Sequence, residues 1–133
     1  MAQTMKDLEI FIVDDGSTDG SVHALKGEVD DPRIHWIFQE NMGKPATINK
    51  VMEKARGEFF AVQDADDFCD PSRVEKEIAR LDGDATIAGV FCGYDRSILG
   101  RRMKPSFIEL TIGECDALID RFKMPGHDPT ACY

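Results

Sequence analysis

Asp64, Asp66 and Asp67 place three carboxylates within four consecutive residues. Their charges repel one another, and nothing in the adjacent sequence neutralises them. A divalent cation would, because hard oxygen donors suit Mg²⁺, Mn²⁺ or Ca²⁺. The plainer reading is a solvated acidic turn that also caps the helix after it. Position favours the first. Residues 59–62 (Phe-Phe-Ala-Val) form an apolar run with the length and aromatic, β-branched character of a strand buried on both faces. Beyond the acids, Asp70 and Pro71 read as an N-cap followed by proline at the first helical position, with Val74, Ile78 and Leu81 on one helical face. Acids at the carboxyl end of a strand and just before a helix lie where open α/β sheets bind ligands.

Asp14 and Asp15 repeat the arrangement. Residues 8–13 (Leu-Glu-Ile-Phe-Ile-Val) read as a second buried strand, and a turn over 16–20 leads to a helix with apolar positions Val22, Leu25 and Val29. The loop superficially suggests a calcium site, with Asp15, Ser17 and Asp19 as first ligands and Gly20 in register. The twelfth position is then Lys26, where an EF-hand requires a bidentate Glu, so that reading fails. Helix capping accounts for Ser17 and Asp19. Asp14 and Asp15, as two acids at a strand tip, have no capping need to serve.

The rest of the chain supplies the elements that must position these groups. Residues 34–38 read as a third strand, with His35 alternating out of the apolar set. A polar loop over 40–44 opens a helix in which Pro45 starts, Ile48, Val51, Met52 and Ala55 pack, and Gly57 stops. Gly43 would let backbone approach a ligand, and Lys44 could face a phosphate; a plain loop-to-helix transition explains both as well. A strand near 87–94, a solvated basic loop at Arg101, Arg102 and Lys104, and a helix near 112–122 complete the pattern. Strand, helix, strand, helix, strand, helix is the βαβ rhythm of an α/β fold with a mainly parallel sheet and right-handed crossovers.

At 133 residues the chain is expected to form a single domain with a real core. The formal charge of −9 argues against nucleic acid or an anionic membrane surface as partner, although a metal could bridge a small anionic ligand. Cys69, Cys92, Cys115 and Cys132 are widely spaced, which removes a metal cluster or disulfide scaffold and leaves reduced thiols. No signal peptide opens the chain and no run reaches membrane-spanning length, so a cytoplasmic protein is expected, peripheral to a membrane if part of a longer parent.

Three segments in fixed order carry a family resemblance: residues 9–21; residues 41–49 with Ala55, Arg56 and Gly57; and Asp64, Ala65, Asp66 and Asp67 with Pro71, Ser72 and Arg73. Together they resemble the nucleotide-binding half of a family 2 (GT-A type) inverting glycosyltransferase, over about two-thirds of the chain from near Gln3 to near Gly93. The resemblance implies a Rossmann-like, three-layer GT-A fold, here truncated, and a nucleotide-diphosphate sugar such as a UDP- or dTDP-sugar as donor for glycan or polysaccharide synthesis. By position, Asp15 corresponds to the acid that hydrogen-bonds the base, with Asp14 beside it in the nucleotide site. Asp64, Ala65 and Asp66 match the DxD motif, which places Asp64 and Asp66 at the nucleotide. Asp66 and Asp67 would lie nearest the ribose and the Mn²⁺ or Mg²⁺ on the diphosphate. Lys44 falls in a loop near that diphosphate.

The departures matter as much. Gln3 and Thr4 stand where the family has already completed a first strand and helix, and the catalytic base of the family lies far downstream of DxD. Glu114, Asp116, His127 and Asp128 are available acids or bases, but no motif marks any of them, so the catalytic residue is unknown and the isolated chain is expected to be inactive. The competing readings are a non-catalytic interaction or nucleotide-binding remnant of the fold and, ranked last, a receiver domain, which lacks support from the acid triplet or the 41–49 loop. The absent first strand would leave unpaired edges on the strands ending at Asp15 and Asp64. Direct pairing of those two strands would close the gap but pull the two acid loops together; strand addition from a second copy, a homodimer, is the expectation.

Overall fold

The computed structural model describes residues 2–92 and, beyond them, the backbones of 97–98, 101–102, 108–111 and 131–132. The chain divides into two compact units, Asp7–Glu58 and Met1–Lys6 with Phe59–Tyr133. No helix among the described residues is long and apolar enough to cross a membrane.

The unit of Asp7–Glu58 is a parallel βαβ followed by a helix. Strand β1 (Ile10–Asp15) pairs in parallel with β2 (Ile34–Gln39), from Ile10 opposite Ile34 to Asp15 opposite Gln39. Parallel neighbours cannot be joined by a tight turn, and helix α1 (Ser21–Glu28) makes the crossover. On one face of the pair Phe11 stacks on His35 with ring centroids 5.0 Å apart. On the other, Phe38 stacks on His23 of α1 at 4.9 Å, and Lys26 Nζ lies 5.0 Å from the Phe38 centroid. These aromatic contacts take the place of apolar burial in α1, which buries no residue and leaves Leu25 exposed. Helix α2 (Lys44–Met52) begins as expected with proline in its first turn and buries Val51, but it ends at Met52, which is exposed. Ala55 and Gly57 therefore lie beyond the helix, where Glu9 accepts hydrogen bonds from the backbone N–H groups of Arg56 and Gly57.

The second unit centres on helix α3 (Arg73–Asp82) and strand β3 (Ile87–Phe91). Leu81 and Val90 form its buried core, with Phe59, Ile78 and Ile87 packed against them. β3 pairs antiparallel with both β6 (Ile108–Thr111) and β7 (Ala131–Cys132). Strands β4 (Ser97–Ile98) and β5 (Arg101–Arg102) pair antiparallel with each other, so Arg101 and Arg102 belong to a short strand and not to the expected loop.

The α/β class with parallel strands is present, consistent with a Rossmann-like fold. Three local expectations change. Residues 59–62 are not a strand: only Ala61 forms an isolated bridge, and it is exposed. Beyond that bridge the run joins no strand among the described residues; Phe59 is used as core filling beside Leu81 and Val90, and the Val62 carbonyl accepts from the Arg73 guanidinium. Helix α3 starts later than the Asp70–Pro71 signal implies, with Ser72 at the N-cap, because the Asp70 carboxylate closes a turn onto the Ser72 N–H and hydroxyl. Its buried stripe is Arg73, Glu77 and Leu81, spaced by four, and Val74 and Ile78 are only half-buried. The expected helix near 112–122, and Glu114, Asp116, His127 and Asp128 with it, lie outside the described residues.

Candidate functional site

The acid turn follows directly from the failed strand. Asp67 N–H donates to the Asp64 carbonyl at 3.2 Å, closing a tight turn that gathers the three side chains. Asp64, Asp66 and Asp67 each offer a carboxylate oxygen, and these lie within 4.8 Å of one another; Asp64 is half-buried, Asp66 and Asp67 exposed. Oxygens on opposite sides of an octahedral Mg²⁺ are about 4.2 Å apart, twice a bond of about 2.1 Å. Adjacent oxygens are about 3.0 Å apart, so the three donors must draw together to share an ion, and the two exposed side chains can do so by rotation. The donor set fits a divalent cation. Phe68, fully exposed, stands immediately after it.

Behind the turn lies a polar relay. The Gln63 side-chain amide donates to the carbonyls of Asp64 and Asp67 at 3.1 and 3.0 Å. Its oxygen accepts from Arg73 Nη1 at 2.8 Å, while Arg73 Nη2 donates to the Val62 carbonyl at 2.9 Å. Arg73 Nε in turn donates to both carboxylate oxygens of Glu77, at 3.1 and 3.2 Å, in a pair of which both side chains are buried. Burial raises the Glu77 carboxyl above its usual range, against the opposing pull of Arg73. Burial and the Glu77 charge push the neighbouring Cys92 thiol up to about 11.

In the Asp7–Glu58 unit, the strand tip also has structural work that sequence reading denied it. Asp14 is buried and accepts from the Ser17 N–H at 2.8 Å, which turns the chain out of β1; Ser17 therefore folds the loop and does not cap α1. Asp19 accepts from the N–H and hydroxyl of Ser21, the first helical residue, in a turn ahead of α1; the N-cap is Gly20, in the left-handed region, and makes no side-chain cap bond. Asp15 Oδ1 accepts from Gln39 Nε2 at 2.8 Å and Met42 N–H at 2.9 Å, and its Oδ2 accepts from Gly43 N–H at 2.9 Å. Lys50 Nζ donates to Gln39 Oε1 at 2.8 Å, steadying that amide. Hydrogen bonds from Ser17 and Gln39 lead the causes that hold the Asp14 and Asp15 carboxyls below their ordinary value.

Positive φ favours glycine at three places in this loop pair, Gly16, Gly20 and Gly43. Gly16 has φ +87°, and a Cβ there would meet the Asn41 nitrogen at 2.9 Å; Gly43 has φ +80°. Lys44 is the first residue of α2 and exposed. Glu9, Gln39, Lys50, Gln63 and Glu77 were missed as supporting residues. The spacing of Arg73 and Glu77, four apart on a helix, was the legible signal among them.

A parallel βαβ unit with acids at its strand tip, and an acid turn ahead of a helix, are features of an α/β protein of Rossmann-like class. A family model described as Glycosyl transferase family 2 matches residues 1–132, and the chain belongs to that family. It is 44% identical over 93 residues to a putative glycosyltransferase EpsH of Bacillus subtilis, covering 69% of this chain and 26% of that protein. It is 36% identical over 90 residues to a chondroitin synthase of Escherichia coli, covering 67% and 13%. A putative teichuronic acid biosynthesis glycosyltransferase TuaG of Bacillus subtilis matches at 38% over 88 residues, covering 65% and 34%. The chain thus spans about a third or less of the length of these relatives.

Proposed function

We propose that this chain is the donor-binding part of a glycosyltransferase that builds a glycan or polysaccharide from a nucleotide-diphosphate sugar, a UDP- or dTDP-sugar. The observation that carries the reading is the acid turn, with three carboxylate oxygens within 4.8 Å in a chain of family 2. Mn²⁺ or Mg²⁺, when bound, neutralises charge on the departing diphosphate and orients it. Asp66 and Asp67 hold the ion, and Asp64 and Asp66 face the nucleotide. Asp15 accepts a hydrogen bond from the base, with Asp14 setting the loop beside it, and Lys44 meets the diphosphate. Inversion needs a base to deprotonate the acceptor hydroxyl, and no described residue is assigned to it. A cytoplasmic location, peripheral to a membrane in a longer parent, belongs to the same reading, as does a homodimer.

Calorimetric titration with UDP and dTDP tests it. Binding is expected with Mn²⁺ or Mg²⁺ and not with chelator, and Asp66→Ala is expected to abolish the metal dependence. Equal binding with and without chelator removes the DxD assignment. Sugar transfer by this chain alone is expected to be negligible; turnover onto a glycan acceptor with inverted configuration would instead place the base within these residues.

A further inference from the structure

A buried Arg–Glu pair is a weak source of stability, since replacing such a pair with apolar residues is often neutral or better. The presence of Arg73 and Glu77 in the core stripe of α3 therefore calls for a different explanation, and the hydrogen bonds supply one. Glu77 fixes the guanidinium through Nε, and the two terminal nitrogens reach out of the core to consecutive residues, the Val62 carbonyl and the Gln63 side chain. Gln63 is exposed, yet both ends of its amide are committed. The oxygen takes the Arg73 proton, which fixes which way the amide faces, and the nitrogen bridges the carbonyls of Asp64 and Asp67. Those two carbonyls bracket the turn that carries the acids.

We propose that Gln63, oriented by the buried Arg73–Glu77 pair, is a positioning residue that sets the spacing of the Asp64, Asp66 and Asp67 carboxylates for a divalent cation. The role rests on the metal reading given above. Three like charges drive the turn apart, and the bridge opposes that opening from the backbone side. Outer-shell hydrogen bonds to ligating side chains govern metal affinity by about 10–100-fold, and a bridge to the backbone that carries the ligands is expected at the lower end of that range.

The test uses Gln63→Met, which keeps the length of an exposed side chain while removing both ends of the amide, and Gln63→Glu, which keeps the acceptor for Arg73 and removes the bridging donor. Mn²⁺ alone is titrated by calorimetry, and exchange of the Asp67 amide with water is followed by NMR in the absence of metal. Gln63→Met is expected to melt as wild type, to bind Mn²⁺ about ten-fold more weakly, and to exchange Asp67 N–H faster. Gln63→Glu is expected to share the faster exchange. Wild-type Mn²⁺ affinity and wild-type Asp67 exchange in Gln63→Met, with Mn²⁺ binding still lost in Asp66→Ala, overturn the positioning role alone. A wild-type chain that binds no Mn²⁺ overturns the metal reading and the cation role with it. Slow Asp67 exchange in Gln63→Glu shows that the bridge is not what holds the turn, and also overturns the proposal.

Discussion

Asp15 fastens a loop before it can recognise anything. Its carboxylate gathers the Gln39 amide and the Met42 and Gly43 N–H groups, so any nucleotide base it meets finds a loop already set. Asp14 does the same for the turn over 14–17, and Glu9 for the chain after α2. These three acids give the molecule a pH dependence with a definite sign. Hydrogen bonding in the folded state holds the Asp14 and Asp15 carboxyls below 3.8 and Glu9 below 4.5. Their contribution is complete above those ordinary values and is lost as pH falls through the lower, folded-state values. Glu77 runs the other way, because burial raises it, so its contribution is complete below 4.5 and declines as pH rises through its raised value. Asp19, Asp31, Asp70 and Asp84 are lowered in the same sense, so with Glu77 alone opposing them among the described carboxyls the folded state is expected to lose stability progressively below about pH 4. Thermal melts from pH 7 to pH 2 check this. A melting temperature that holds or rises over the acid range would show that these hydrogen bonds do not favour the charged forms.

Helix α3 carries the next prediction. Arg73→Met leaves the Glu77 carboxylate buried without its partner, and breaking a buried pair from one side costs about 3–5 kcal/mol. That is a large share of a domain stability of roughly 5–15 kcal/mol. The double variant Arg73→Met with Glu77→Leu removes both charges and is expected to recover most of the loss, as measured by urea denaturation. A double variant as unstable as the single would mean that the hydrogen bonds to Val62 and Gln63, and not the charge pair, hold the helix.

The same helix shows what sequence could and could not reveal. Its existence and Leu81 as a core residue were legible from periodicity, and so was the acid cluster, because carboxylates in close sequence need no tertiary information to be near one another. The strand expected over residues 59–62 does not form, because a short apolar run reads alike whether it joins a ladder or fills a core. Which of these happens depends on whether a partner strand lies alongside. The placement of Arg73 and Glu77 in the buried stripe was hidden by composition, since charged residues are assigned to the surface unless their partners are known. Gln63 had no signal of its own: its importance comes from three backbone and side-chain partners that only folding assembles. The loop-fastening work of Asp15 was hidden similarly, by partners up to 28 residues away, whereas that of Asp14 rests on Ser17, three residues on.

At the scale of the molecule, β1 pairs with β2 alone among the described residues, and a further strand on its other edge would extend the sheet. A second copy can supply one, since unpaired apolar edges favour association. Light scattering is expected to return the mass of a dimer. A monomer at every concentration tested would reject strand addition between copies.

The two units also differ in how the polypeptide is laid into them. Residues 7–58 form one unbroken stretch, whereas the other unit joins the first six residues to everything after residue 58. The seam is made by Thr4 N–H on the Pro71 carbonyl at 2.8 Å and by Gln3 Nε2 on the Asp70 carbonyl at 3.0 Å. Thr4 and Pro71 are 67 residues apart. A ribosome adding about 5–20 residues per second takes about 3–13 s to deliver Pro71 after Thr4 has been made. During that interval the whole of the parallel βαβ unit has been synthesised and can close, while the segment ahead of it waits, unpaired, for a partner not yet translated.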